Sequence, residues 1–561
     1  MAKAVQEREI TLSYSLFDLP TAQHKAGLAG LLLLLDSLRQ RGTDPLPDVS
    51  HLSATNAKLK FTRDSLQTVF DDLYDAAQVE GRSKSKRAKG KAPKRVEIEE
   101  FQDKEGGQVK KRKIYIYDAI EPKALFLEHH YPGDENGWLK LWRDMLWATL
   151  RAQPKTRGVY EQRADSQPCH EAGSIWKELH KSVHKQGYSQ PIAGSLFVGA
   201  QASNAERIKF EGTVEQNLLL HFWPLTLRIF VPETIDRDGN SKLHALPTSE
   251  KGKEKAYILA IPEVSDLEEF CEVFPRSLGE LNPQLRGYRP LTSIIDVPEE
   301  GGLEFLRNLS QIAQERAESG DVKYSVSAIE VFSLEKQGNN VKTHTADKII
   351  PRQGLLSQYE SIRQSCRNPF FKSQLLLNLL RNLNWTEGFL GLFSKYPSEF
   401  FIRTDKTPET VSLFSADARK KFDTIVDEFH RLEEAHTMAE DAVKKRIEKR
   451  VYDMIGAYVR QKTEAKSKIK WNDFKDKKTS DGKIAIPPAY REEKQKICMD
   501  AFLAMRSRRE QEFIEYFTGT ICSVPQFLPS DDYIFVSKAL LKEGGWEEVK
   551  ALSMLALSAH S

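Results

Sequence analysis

A chain of 561 residues exceeds what one hydrophobic core organises, since single cores stop growing near roughly 250 residues, so two to four domains are expected. An apolar fraction of 40% and a charged fraction of 29% describe an ordinary globular chain, and 83 basic against 80 acidic residues leave a net charge of +3 that by itself decides nothing about a polyanionic partner. Five scattered cysteines (Cys169, Cys271, Cys366, Cys498 and Cys522) with no Cys-x-x-Cys argue against a disulfide framework and a zinc ribbon.

In chain order, the first informative stretch is residues 15–38, SLFDLPTAQHKAGLAGLLLLLDSL. It predicts a helix over about 21–40, with Asp18 and Thr21 as candidate caps and Pro20 near the first turn. Ala, Leu and Gly occupy every face after Lys25, which makes the helix a buried anchor rather than an amphipathic surface element. Gly27 and Gly30 each cost about 1 kcal/mol against Ala in a helix, so a close backbone neighbour is expected at both. His24 and Lys25 read as surface or capping residues. The run 26–35 is too short to span a bilayer, and the N-terminus lacks the order of a secretory signal, so no membrane association and a cytoplasmic location are expected.

An extended polar connection over 43–56 and a second helix over 58–77 follow. Residues 82–95, RSKSKRAKGKAPKR, hold eight basic residues and no acid, and their Ser, Gly and Pro content predicts a flexible arm. Residues 96–120 predict a hairpin about Glu105, Gly106 and Gly107 that pairs an acidic strand with a basic one. A helix over 138–150 places Trp138, Trp142 and Trp147 in a core. Strands are expected at 194–200, 220–231 and 256–264, and a hairpin about Gly338, Asn339 and Asn340.

Beyond Ser373 strand signals nearly vanish, and helices are expected over 373–383, 416–465, 488–517 and 531–560. The fold class is therefore α+β, a mixed α/β region followed by an all-α bundle. The expected domains are 1–370, a connecting helical segment 371–405, and a C-terminal bundle 406–561. Within that bundle residues 444–478 carry thirteen Lys and Arg against five acids. This pattern fits a solvated helix face, and Trp471 and Phe474 beside it also suit a single-stranded nucleic acid, whose bases stack on rings.

Catalytic motifs are missing: no G-x-x-x-x-G-K-S/T phosphate loop, no H-E-x-x-H and no G-x-S-x-G elbow occur. His129 and His130 with Asp134 and Glu135 form the best metal-like group, and a structural turn is the simpler reading of it. No metal and no cofactor is expected. Two other classes stay open on the sequence, a nucleic-acid enzyme with an unrecognised metal site and a non-catalytic scaffold.

The 15–38 block and the stretch 195–212, SLFVGAQASNAERIKFEG, resemble the large subunit of type I CRISPR effector complexes (Cascade), in a type I-B-like branch of myxobacteria and cyanobacteria that includes transposon-associated members. The resemblance implies a non-catalytic, RNA-guided DNA-binding component. It would read the protospacer-adjacent motif (PAM), help open duplex DNA and stabilise the R-loop, in antiviral defence or in RNA-guided transposition. Implied partners are a guide RNA, target double-stranded DNA, Cascade backbone and small subunits, and a helicase-nuclease or transposition proteins.

Chemically, 195–212 is a strand emptying into a loop of small polar residues. Gln201, Ser203 and Asn204 offer short donors and acceptors to base edges in a minor groove, and the resemblance makes them PAM-reading candidates. Arg207 and Lys209 would hold phosphates, with Lys84, Lys86, Arg87, Lys94 and Arg95 of the basic arm along the flanking duplex. The C-terminal bundle resembles the Cascade small subunit, with Arg446, Lys449, Arg450 and Arg460 as candidate strand contacts and Met438 or Met454 as candidate internal starts.

Overall fold

The computed structural model describes the chain apart from residues 1–8, 85, 87–91, 103–108, 132–136, 186–187, 200–209, 236–240, 244–254, 287–288, 317–323, 339, 404–408, 435–439, 480–481, 483 and 524–529. It divides into two compact units, Met1–Glu233 with Leu243–Gln353, and Thr234–Lys242 with Gly354–Ser561. Sheets occupy the first part and helices the second, which makes the fold α+β.

The first unit begins with an antiparallel sheet in which strand Asn56–Thr62 lies between Glu9–Ser15 and Asp48–Leu52. Its alternation buries Ile10, Leu12 and Tyr14 opposite Phe61, Leu59 and Ala57. The helix expected over 58–77 is thus half strand. The period-2 run Ala57, Leu59, Phe61 governs until Thr62, whose hydroxyl accepts from the Ser65 amide at 3.1 Å and opens the helix Arg63–Leu73.

The anchor helix spans Ala22–Gln40 and is buried on nearly every face. Neither Asp18 nor Thr21 caps it through a side chain; the Thr21 hydroxyl instead bonds His24 Nδ1 at 2.8 Å. His24 is only 2% exposed rather than a surface residue, and Lys25 pairs with Glu263 at 2.9 Å. Both glycines meet backbone. A Cβ at Gly27 would lie 2.1 Å from the Leu219 carbonyl oxygen, and one at Gly30 would lie 2.4 Å from that of Phe222.

The helix packs against a larger sheet whose strand Lys255–Val264 lies between Arg228–Ile235 and Val326–Gln337, with Asn340–Ile349 beyond the latter. The hairpin about Gly338 forms as expected. Residues 194–199 are turn, not strand, and the expected strand 220–231 starts only at Arg228, because helical turns Val214–Leu219 and Trp223–Leu225 precede it. Pro224, which has no N–H to give a ladder, sits in the second of these turns. Trp138 and Trp142 are buried as expected, and Trp147 is half-buried beneath the Arg157 guanidinium.

A separate sheet flanks strand Val109–Pro122 with Ala76–Ser83 on one side and Arg95–Gln102 on the other. The predicted acidic–basic pairing is present, with Glu99 opposite Arg112 and Glu100 opposite Lys111 at 2.6 and 2.9 Å. The basic stretch 82–95 is not a free arm at its ends, since Arg82 and Ser83 complete one strand and Arg95 begins the next.

The second unit is helical, and among the described residues after Ile349 the only β pairing is an isolated bridge between Lys478 and Ile484. Its last helix, Gly545–His560, is buried from Val549 to Ala559 and packs against Glu409–Glu434, Glu440–Ser467 and Pro488–Arg506. The expected helix 416–465 is two helices. The expected 488–517 breaks after Arg506, and 531–560 breaks before Gly545, where Gly544 takes φ +71°.

Candidate nucleic-acid interface

The described residues on either side of 200–209 form a pinned neck. On its N-terminal side the turn Ala193–Gly199 is held by three buried side chains from distant elements. Arg151 Nη1 donates to the Ser195 carbonyl at 2.7 Å and Trp223 Nε1 to the Leu196 carbonyl at 2.7 Å. Gln23 does both jobs at Val198: its Nε2 donates to the carbonyl at 3.0 Å while its Oε1 accepts from the amide at 2.9 Å. The His24 ring lies 6.0 Å from that of Phe197.

The two sides of the neck meet. Phe197 packs on Phe210 at 5.4 Å, the Ile192 amide donates to the Phe210 carbonyl at 2.8 Å, and Ser189–Pro191 pairs with Glu211–Thr213. Gly199, the last described residue before 200–209, has φ +96°, a conformation that a side chain would oppose. A cavity of about 320 Å³ opens at the neck, lined by Phe197, Val198, Gly199, Leu334, Val341 and Thr343 among others. Gln201, Ser203, Asn204, Arg207 and Lys209 lie outside the described residues.

Beneath the neck, Arg151 Nη2 donates to the Tyr74 hydroxyl at 3.3 Å, and that hydroxyl bonds His221 Nδ1 at 2.6 Å. Burial, with the Arg151 charge second, pushes His221 down to about 3, so the ring is neutral. Burial alone takes His24 down to about 4.

In the basic segment, Lys84 and Lys86 are exposed and Arg87 lies outside the described residues. Lys94 and Arg95 are occupied. Arg95 grips Glu80 through two bonds of 2.6 Å and Glu97 at 2.9 Å, while Lys94 lies 3.6 Å from Glu80 and 3.4 Å from Asp118.

In the helical unit Arg446 belongs to the helix Glu440–Ser467, its side chain outside the described ones. Lys449 pairs with Asp453 at 2.7 Å over the Phe429 ring, and Arg450 is half-buried. Arg460 is exposed, its guanidinium 5.8 Å from the Trp471 ring centre. Phe474 is 2% exposed and locked against Trp471 at 5.1 Å and Tyr490 at 4.9 Å, so its ring is structural rather than a base-stacking platform. This aromatic knot presents Lys466, Lys468, Lys470, Lys475, Lys477 and Lys478 to solvent, with no ion pair to a described residue. In the sequence these lysines belong to the basic run 444–478 read together with Trp471 and Phe474, but none is singled out there.

His129 and His130 end a short helix, Asp134 and Glu135 lie outside the described residues, and among the described residues no three His, Cys, Asp or Glu side chains are grouped to hold a metal. No described helix is long and apolar enough to cross a membrane. A family model described as the type I-B CRISPR Cas8b N-terminal domain matches residues 46–319, and one described as the type I-B CRISPR Cas8b C-terminal domain matches residues 326–560. No curated protein matches the chain.

Proposed function

Because the chain belongs to the type I-B CRISPR Cas8b family, the large subunits of Cascade, we propose that it reads the PAM through the loop 200–209, helps open the duplex and steadies the R-loop. The observation that carries this reading is the pinned neck. A loop that must discriminate base edges needs a root that does not yield, and Gln23, Arg151 and Trp223 supply one from three separate elements. Gln201, Ser203 and Asn204 would meet the bases, and Arg207 and Lys209 the flanking phosphates.

Division of labour follows from the two units. The mixed region, to about residue 370, contacts PAM and guide. The bundle 406–561, reached through 371–405, lines the separated strands with the exposed lysines around Trp471 and with Arg460. The subunit binds and positions, while guide pairing supplies sequence and a separate helicase-nuclease or transposition protein supplies the chemistry. It acts in the cytoplasm with a guide RNA, backbone and small subunits, and target duplex.

The test is co-expression with backbone subunits and guide, followed by binding to duplexes that differ only in the base pairs flanking a matched target. Gln201→Ala with Asn204→Ala is expected to abolish discrimination while assembly stays intact. Failure to join an RNA-containing complex overturns the reading.

A further inference from the structure

One end of the helical bundle gathers three cations, of which Lys494 has no hydrogen bond to a described residue. Arg419, on Glu409–Glu434, donates from Nε and Nη2 to the Ala559 carbonyl at 2.9 and 2.7 Å, at the C-terminal end of the last helix. His560, the next residue, stacks on Tyr452 at 4.4 Å, and Gly456 allows the approach, since a Cβ there would lie 2.8 Å from the imidazole. One turn further along the same face of Glu440–Ser467 stands Arg460, over Trp471. The Trp471 ring packs 6.4 Å from Tyr490, and Lys494 lies one turn beyond Tyr490 on Pro488–Arg506. Three helices thus bring Arg419, Arg460 and Lys494 within electrostatic reach of His560. Arg419 and Arg460 are exposed and Lys494 is half-buried.

Lys494 has no hydrogen bond to a described residue, and its ammonium is held below the ordinary lysine range by burial first and then by the charges of Arg419 and Arg460. The opposing group is Cys498, a buried thiol pushed up to about 12 and hence neutral at physiological pH. The same three cations act on His560. The nearest carboxylates are otherwise placed. Glu464 accepts from the Trp471 amide at 2.9 Å, Asp423 offsets Arg419 from one turn along the same helix, and neither Asp423 nor Asp453 bears on Lys494. Among the described residues no carboxylate bears on Lys494, so its ammonium is crowded by like charges, and such a cost is characteristic of a site made for an anion.

We propose that Arg419, Arg460 and Lys494 form a seat for one phosphodiester group of a nucleic-acid strand. The last helix steadies Arg419 by its carbonyl end, Arg460 offers a planar fork and Lys494 a point charge, the complement that a phosphate with two free oxygens takes. The seat rests on the reading of the chain as a DNA-handling subunit and goes beyond it by assigning Arg419 and Lys494, residues outside the basic run 444–478.

The experiment uses the assembled complex with guide and matched duplex, comparing the wild type with Lys494→Gln, Arg460→Gln and Lys494→Arg across a salt series. Each Gln variant is expected to lower the slope of log affinity against log salt by roughly 0.7–0.9, one phosphate, and to leave discrimination of flanking base pairs unchanged. Lys494→Arg should retain the wild-type slope. In the free chain Lys494→Gln should leave Tm unchanged or raised, because repulsion is relieved. Unchanged affinity and slope in variants of a complex that binds its target would overturn the seat and leave the functional reading standing. A Tm drop with loss of assembly would mark Lys494 as structural and likewise overturn the seat. A wild-type complex that binds no target overturns both.

Discussion

Gln23 and Val198, 175 residues apart, exchange a reciprocal pair of hydrogen bonds in which one side-chain amide satisfies both backbone groups of a single residue. Gln23 lies in the N-terminal anchor helix and Val198 in the turn just before residues 200–209, so the described parts of the two blocks that carry the family resemblance are one physical unit. The glutamine amide completes the turn where no strand partner exists for Val198.

Replacing Gln23 with Ala leaves a buried N–H and a buried C=O unpaired, a loss of about 2 kcal/mol or more. The expected outcome is a lower denaturation midpoint and faster proteolytic cleavage within 200–209. In the complex, weaker PAM discrimination should follow with no change in salt slope, because no phosphate contact is removed. Cleavage at the wild-type rate would show that the neck does not depend on Gln23.

Gly27 and Gly30 offer a sharper test, because the obstruction at each is carbonyl backbone, which cannot swing aside. Gly27→Ala or Gly30→Ala should destabilise the first unit by more than about 3 kcal/mol, seen as insoluble expression or a large fall in Tm. Gly173 supplies the control. It lies inside the helix His170–His184 with nothing within 4 Å of where a methyl carbon would stand, so Gly173→Ala should be neutral or stabilising by up to about 1 kcal/mol.

How far the sequence speaks depends on whether a segment's own period decides its structure. The anchor helix, the close approach at its glycines and the acidic–basic hairpin are legible, because the apolar run, the small residues and the charge alternation are local. The turn 193–199 is not. Its apolar Leu196, Phe197 and Val198 imitate a strand, and the partners that make them a turn, Gln23, Arg151 and Trp223, are remote in sequence. The ion pairs of Lys94 and Arg95 are equally illegible, since the register that brings Glu80 and Asp118 to them is tertiary. Arg419 and Lys494 give no signal at all, each being one cation on an ordinary helix.

That neutralisation separates the basic segment into two classes. Lys84→Ala with Lys86→Ala should reduce the salt slope of target binding by removing free cations, whereas Arg95→Ala should leave it unchanged because its charge is already met by Glu80 and Glu97. Salt titration of the assembled complex checks both; equal slopes for the two variants would place Arg95 on the nucleic acid.

Acid should weaken the fold through histidines buried neutral. His24 and His221 titrate near 4 and 3 in the folded chain and near 6.5 when unfolded. Between those values the unfolded state binds more protons, so stability is full above about pH 6.5 and falls as pH drops toward 4. Each histidine should remove about 1–2 kcal/mol from the first unit between pH 7 and pH 5. Denaturant midpoints measured over that range should fall in wild type. His221→Gln, which cannot take up the proton, should flatten the slope, and an unaltered slope would assign the acid sensitivity elsewhere.

An internal start at Met438 would release a fragment that lacks the helix Glu409–Glu434. In the whole chain that helix contributes Phe414, Ala418, Phe422 and Ile425 to the core, packed against Tyr452, Phe371, Phe389 and the last helix. Without it the apolar faces of Glu440–Ser467 and Gly545–His560 are bared, an exposed patch of the kind that drives association. Fragment 438–561 should therefore be aggregated or partly unfolded when expressed alone and be rescued only by Cascade backbone subunits that cover this face, whereas fragment 354–561 should be soluble with a cooperative thermal transition. A start at Met454 removes about four further turns, those of Glu440–Ser467 that precede it, including the core residue Val451, and should fare worse. Circular dichroism and sedimentation of the three fragments decide the matter: a monomeric, cooperatively folding 438–561 would mean that Glu409–Glu434 is dispensable to the bundle, against the packing of Phe414 and Phe422.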